Sequence, residues 1–424
     1  MEPETRTTYE PGQAPSVTAL LQRCPLGARP CALLSGVGGT GAAPARRSYF
    51  YAEPEAVEPG WEGTLGPGPR VGFVHYDLGW SWMAKPRLPR PPPLGGPAAL
   101  SLRFSAWFER DEASGAGRIA CVPSPSGRRC AERLRRWVGP PSPALRGGLP
   151  RDLVPGVSKR AYVERVSRLR DAIRGGELYQ ANFTYPLLGS YRGDPRAAFL
   201  RLAEGATAPP FAAFVSVDDD HHIVSGSPEC LLHAVDDRLR SFPIKGTRPR
   251  HPHAGTDRES ARSLLDSEKD RAEHLMIVDL VRNDMGRVAR VGSVRASDVY
   301  VESFPTVHHL TTTVEARLAP EVSLERLWTA LFPGGSITGA PKLRSMEWID
   351  GLEEDARGIY TGSIVHRDPH GELTASIAIR TAEIRGAHVR FGVGGGIVLD
   401  SDPEAEWEET RVKAAALSAA LSEP

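Results

Sequence analysis

Apolar and polar positions follow two rhythms along this chain, and the change falls near Ser158. From there apolar residues recur at Val163, Val166, Leu169 and Ile173, the spacing of one helical face. Ser158 suits the N-cap, and Gly175-Gly176 suits the stop. Leu178 to Leu187 reads as a strand, as do Phe211–Val217, Gly358–His366, Thr374–Ile384 and Val389–Leu399. Further helices are expected from about Ser267 to Asn283 and from about Pro403 to Ser422. Before Ser158 the pattern is irregular. Residues 35–46 and 86–98 are rich in Gly, Pro and Ala, and 122–151 mix Pro and Gly with arginines. These read as long loops between short strands such as Arg70–His75 and Ala99–Phe104. Neighbouring strands joined by short turns favour antiparallel pairing, so the expected class is α+β rather than a doubly wound parallel sheet. The texture divides the chain into residues 1–150 and 151–424.

Composition narrows the field by exclusion. A chain of 424 residues can form one large domain or two to three smaller ones. Lys and Arg (52) balance Asp and Glu (52), so the charge implies no nucleic-acid partner. No apolar run is long enough to span a bilayer, and the acidic start Met1–Thr5 leads into no apolar signal core. A cytoplasmic location is therefore expected, without membrane contact. The five cysteines show neither metal nor disulfide spacing.

The candidate chemistry centres on Phe242-Pro-Ile-Lys-Gly-Thr-Arg-Pro-Arg250. Pro243 and Gly246 restrict the backbone around Lys245 and can hold its amine in one place. A desolvated lysine can lose its proton and become a nucleophile. The same segment also suits a surface lysine in a basic loop. Glu406, Glu409 and Lys413 share one face of the expected last helix, where carboxylates also complement a helix N-terminus. Glu273 precedes Leu275-Met276-Ile277-Val278 on a helix expected to be largely buried, where its charge needs a partner. A hard divalent cation is one candidate. Phe391-Gly-Val-Gly-Gly-Gly-Ile397 lacks a dinucleotide-binding context, and its bare N–H groups suit either a bound carboxylate or a kinked strand. Arg380 interrupts an apolar strand as a carboxylate receptor or a structural ion-pair member. His309 suits a structural histidine. Glu229, after the Ser225-Gly-Ser-Pro turn, suits a general acid or base, or a surface turn.

Taken together these segments resemble the chorismate-utilising enzymes. The matching segments run in order: Leu178-Tyr-Gln-Ala-Asn182, Ser227-Pro-Glu229, Pro243–Arg250, Glu273–Asp284, Gly335-Ser-Ile-Thr-Gly-Ala-Pro-Lys342, Arg357–Gly362, Ile379-Arg-Thr381, and Gly394–Ser401 through Lys413. The first 150 residues match weakly. The resemblance implies an α+β fold of two mostly antiparallel sheets packed as a sandwich, with helices outside and residues 1–150 in the same globule. It also separates chemistries. Members that add water resemble one another in a lysine directly after the Tyr-Gln pair, and here that residue is Ala181. Members that make anthranilate typically have a small residue where this chain has Lys245. The Pro-Ile-Lys-Gly-Thr form, with Gly335-Ser-Ile-Thr338, resembles the members that make 4-amino-4-deoxychorismate from chorismate and ammonia, on a route to 4-aminobenzoate.

The roles implied are as follows. Mg²⁺ on Glu273, Glu406 and Glu409 would bind the ring carboxylate, aided by Gly394, Gly395, Gly396 and Lys413. Tyr360 and Arg380 would grip the enolpyruvyl carboxylate, with Thr338 and His309 lining the substrate. Lys245 would attack C2 with Glu229 as general acid. No Gly-x-Cys-x-Gly elbow is present, so a separate glutamine amidotransferase subunit is the expected ammonia source. Ala32-Leu-Leu-Ser35 lacks the acid of the Leu-Leu-Glu-Ser motif found in relatives that bind tryptophan.

Overall fold

The structure is a computed structural model that describes residues 2–34, 47–138, 145, 151–203, 208–304 and 307–421. The expected loop 35–46 lies outside the described residues. Strands gather into a twelve-stranded sheet, a nine-stranded sheet and a small three-stranded one. The two large sheets face each other across Cys31, Tyr51, Phe73, Leu102, Trp107, Ile223 and Ile364. Helices Val17–Arg23, Lys159–Arg174, Pro195–Ala203 and Pro403–Leu421 cover the outer face of the larger sheet. Helices Glu268–Gly286 and Leu324–Leu331 cover that of the nine-stranded sheet, while Lys342–Leu352 packs on strands Gln180–Ser190 and Gly339–Ala340 of the larger one. The layers therefore run helix, sheet, sheet, helix. A central strand such as Phe211–Ser216 buries one face between the sheets and the other under helices, which explains its apolar run.

The helix signals act through their caps. Ser158 accepts a hydrogen bond from the Ala161 amide, and Ser267 one from the Asp270 amide, satisfying donors the first turn leaves free. Both sheets also cross the boundary near residue 150. Leu33 pairs with Ala213 in the larger sheet, and Phe73 with Ile364 in the smaller. Among the described residues no helix is long and apolar enough to cross a membrane.

Three readings need correction. Thr374–Ile384 is two strands, not one: Leu373–Ile377 belongs to the nine-stranded sheet and Thr381–Arg385 to the larger. The chain changes sheets at Arg380, whose φ of 50° is left-handed. Gly358–His366 begins as a turn, with Gly358 and Thr361 at φ 66° and 60°, and becomes a strand at Ser363. Within 122–151 lies a helix, Pro125–Arg136, capped by Ser124 and burying Ala131 and Leu134. Pro125 looked like a turn residue, yet proline fits the first helical position because that N–H needs no intrahelical partner.

Candidate active site

The three-stranded sheet carries the central lysine. Strand Ile244–Pro249 pairs with Val307–Thr311, and the register slips between Lys245 and Thr247. Gly246 sits at that slip with φ 67°, where a Cβ would lie 2.8 Å from Leu264 Cδ1. The glycine thus lets the strand lie close on the neighbouring helices while turning Lys245 inward. A Cβ on Gly396 would lie 3.4 Å from Lys245 Nζ and 2.8 Å from Gln180 Nε2, so both side chains overhang the glycine strand His388–Ile397. Burial is the largest influence on the Lys245 amine and pushes its pKa down, against the attraction of Glu229 and Glu273.

Glu229 stands where the Ser227-Pro-Glu turn enters strand Cys230–Val235. Its amide donates to Ser227 Oγ, which donates in turn to the Ile377 carbonyl at 2.6 Å. The carboxyl is 6 % exposed, and burial pushes its pKa up to about 7, opposed by the Ser336 hydroxyl and the Lys245 charge. Burial thus biases the lysine toward the neutral amine and the carboxyl toward the protonated acid, the states a nucleophile and a general acid require.

The glycine strand pairs in register with Gln180–Ser190 from Ala181–Ile397 to Ser190–His388. Its pairing to Thr381–Arg385 ends at Phe391, so beyond that point one edge has no strand partner. Antiparallel geometry turns alternate N–H groups of Gly392–Ile397 toward that edge. Tyr360 lies flat on Gly392, where a Cβ would be 2.0 Å from its ring. The Arg380 guanidinium has no ion-pair partner among the described residues, and burial pushes its pKa down. Its charge acts on His309, which is neutral because burial lowers its pKa to about 4. His309 Nδ1 lies 3.1 Å from both the Gly246 carbonyl and Thr247 Oγ1, and the tautomer that donates to the carbonyl leaves Nε2 an acceptor.

The carboxylates converge partway. A Cβ on Gly395 would lie 3.0 Å from Glu406 Oε2 and 3.6 Å from Lys413 Nζ. Glu406 accepts from Ser401 at 2.7 Å, and burial raises its pKa, as it does that of Glu273. Glu409 repels both, so the three share one region of negative charge. Lys413 joins Glu409 at 2.7 Å and donates to the Gly394 carbonyl at 3.1 Å, as their common helix face requires. Among the described residues no three metal-type side chains close around a single point. The Glu268–Gly286 helix is less buried than its sequence suggests: Leu275 is 57 % exposed, and Ile277, Val278 and Met285 form the buried stripe. Thr338 turns its hydroxyl back to the Gly334 carbonyl at 2.9 Å.

One position shifts by a residue. Ala181 packs into the apolar cluster under the helices, so a lysine there would point away from Lys245. Gln180 is the residue that faces it. Its amide is fully buried, and neither Oε1 nor Nε2 has a hydrogen-bond partner. This unpaired amide lies beside Lys245 and Gly396. The signal was present as Gln180, Asn182 and Thr184 at alternate positions of a strand that is otherwise apolar.

A family model described as chorismate binding enzyme matches residues 41–419. Aminodeoxychorismate synthase component 1 of Salmonella typhimurium is 45 % identical over 250 residues, 59 % of this chain and 55 % of that protein. Anthranilate synthase component 1 of Haloarcula marismortui is 43 % identical over 269 residues, 63 % of this chain and 54 % of that protein. The chain thus matches about half the length of these curated relatives. The structure of anthranilate synthase component I from Streptococcus pneumoniae superposes with a TM-score of 0.76 at 26 % identity, covering 89 % of this chain and 93 % of that one.

Proposed function

The chain belongs to the chorismate binding enzyme family, and from that premise we propose that it makes 4-amino-4-deoxychorismate from chorismate and ammonia, as the first component of an aminodeoxychorismate synthase. The observation that carries this reading is the placement of Lys245. Its amine overhangs the glycine strand, biased toward neutrality and in the electrostatic reach of Glu229. Relatives of that name at 43–45 % identity support it.

In the proposed reaction the Lys245 lone pair forms a bond to C2 of the ring, the double bonds shift, and the C4–O bond breaks. The Glu229 proton leaves with the departing hydroxyl as water. Ammonia then forms the C4–N bond, the double bonds shift back, and the C2–N bond breaks to return Lys245 as an amine. The surplus proton on the new amine restores Glu229. Arg380, without a carboxylate of its own, and Tyr360 would hold the enolpyruvyl carboxylate, while Gln180 would give its unpaired amide to the ring substituents.

Three carboxylates in one region of negative charge fit a hard divalent cation in charge and donor type, which would draw them together. Glu273, Glu406 and Glu409 would hold Mg²⁺, which would neutralise the ring carboxylate and draw electron density from the ring. A separate amidotransferase subunit, in keeping with the "component 1" names of the relatives, would supply ammonia.

The test is product identity. Incubated with chorismate, Mg²⁺ and an ammonium salt, the protein should yield 4-amino-4-deoxychorismate without pyruvate. Fluorescent anthranilate with equimolar pyruvate would instead assign it the chemistry of its anthranilate synthase relatives.

A further inference from the structure

We propose that Arg357 is a positioning residue that fixes the spacing of the substrate-facing segments without touching substrate, a role that rests on the reading that the chain acts on chorismate. Its side chain is 2 % exposed, and all five of its N–H groups can be accounted for. Nε and Nη2 bind the Glu353 carboxylate at 2.9 and 2.8 Å. Nη2 also donates to the Asn182 carbonyl at 2.5 Å, and Nη1 to the Ile337 carbonyl at 2.8 Å and Thr361 Oγ1 at 3.3 Å. Glu353 in turn accepts from the amide and hydroxyl of Thr184, at 2.8 and 2.9 Å.

One guanidinium therefore ties together three segments that are distant in sequence. Asn182 and Thr184 belong to the strand that presents Gln180 and pairs with the glycine strand. Ile337 follows Ser336, which faces Glu229. Thr361 follows Tyr360 and holds a left-handed φ of 60°, costly for a β-branched residue unless its surroundings enforce it. The Arg357 contact to Thr361 Oγ1, and that hydroxyl's own 2.6 Å bond to the Tyr360 carbonyl, supply the enforcement. The guanidinium also lies 4.4 Å from the Tyr76 ring centroid, which closes its remaining face. A planar fork can serve this many fixed acceptors, and an ammonium cannot.

A merely structural ion pair would be replaceable by apolar side chains without loss of function. The test is the double variant Arg357→Met with Glu353→Leu, assayed by chorismate consumption, which does not depend on the product formed. It should stay folded at the assay temperature but melt below the parent, because the Asn182 and Ile337 carbonyls and the Thr184 amide lose partners. It should consume chorismate about a hundred-fold more slowly, the loss expected of a displaced site. A folded double variant with the parent's rate overturns the proposal. Arg357→Ala gives an independent measurement: added guanidinium should restore part of its rate where equimolar sodium chloride does not, and an equal response to both salts overturns it. If the parent protein consumes no chorismate, the functional reading fails instead, and the same variants are compared by chorismate affinity.

Discussion

Replacing Lys245 by methionine should abolish turnover of chorismate, by about a thousand-fold or more, while leaving the melting temperature unchanged or higher. The two halves of this expectation come from the same observation. An amine whose protonation is opposed by burial is a cost to the folded state, and an apolar side chain of similar length removes that cost. Loss of a nucleophile, by contrast, removes the covalent route altogether. Steady-state rates and thermal melts on the two proteins check both halves. Turnover at the parent rate would mean that ammonia attacks the ring without lysine, and Lys245 would then be a binding group.

The second large effect belongs to Glu229. As a general acid it must be protonated, and burial pushes its pKa up to about 7, so the protonated acid is available near neutrality. At constant free ammonia, kcat should therefore fall as pH rises above about 7. The acidic limb has the opposite origin, since Lys245 must be neutral and is lost as a nucleophile as pH falls. Glu229→Gln should lower kcat by about 10²- to 10⁴-fold, the usual worth of a positioned acid, and should erase the alkaline limb. A variant that is slow yet keeps that limb would move the titration to another group.

Much of this site was legible before the fold was known, for identifiable reasons. Lys245 stood out because Pro243 and Gly246 are residues of backbone constraint, and the slipped register at Gly246 is that constraint realised. Glu406, Glu409 and Lys413 were legible because helical spacing alone puts them together. Arg380 drew notice as a charge in an apolar run. The run is in fact two strands in two sheets, and the arginine marks the crossing, which period-two patterning cannot distinguish from continuity. The Pro125–Arg136 helix was hidden because proline and glycine punctuate loops and first helical turns alike. Gln180 was hidden by an assumption of register, since one residue's shift along a strand reverses the face. Arg357 was hidden more deeply. Two of its five acceptors are backbone carbonyls, which carry no sequence signature, and they come from segments up to 175 residues away.

The central claim is that Lys245 bonds to the substrate, and mass spectrometry of the protein held with chorismate and Mg²⁺ in the absence of ammonia tests it most directly. Without ammonia the second displacement cannot occur. The peptide containing Lys245 should therefore gain the mass of chorismate less one water, and lose it again when an ammonium salt is added. An unmodified Lys245 peptide, in a preparation that turns chorismate over as soon as ammonia is supplied, would contradict the account.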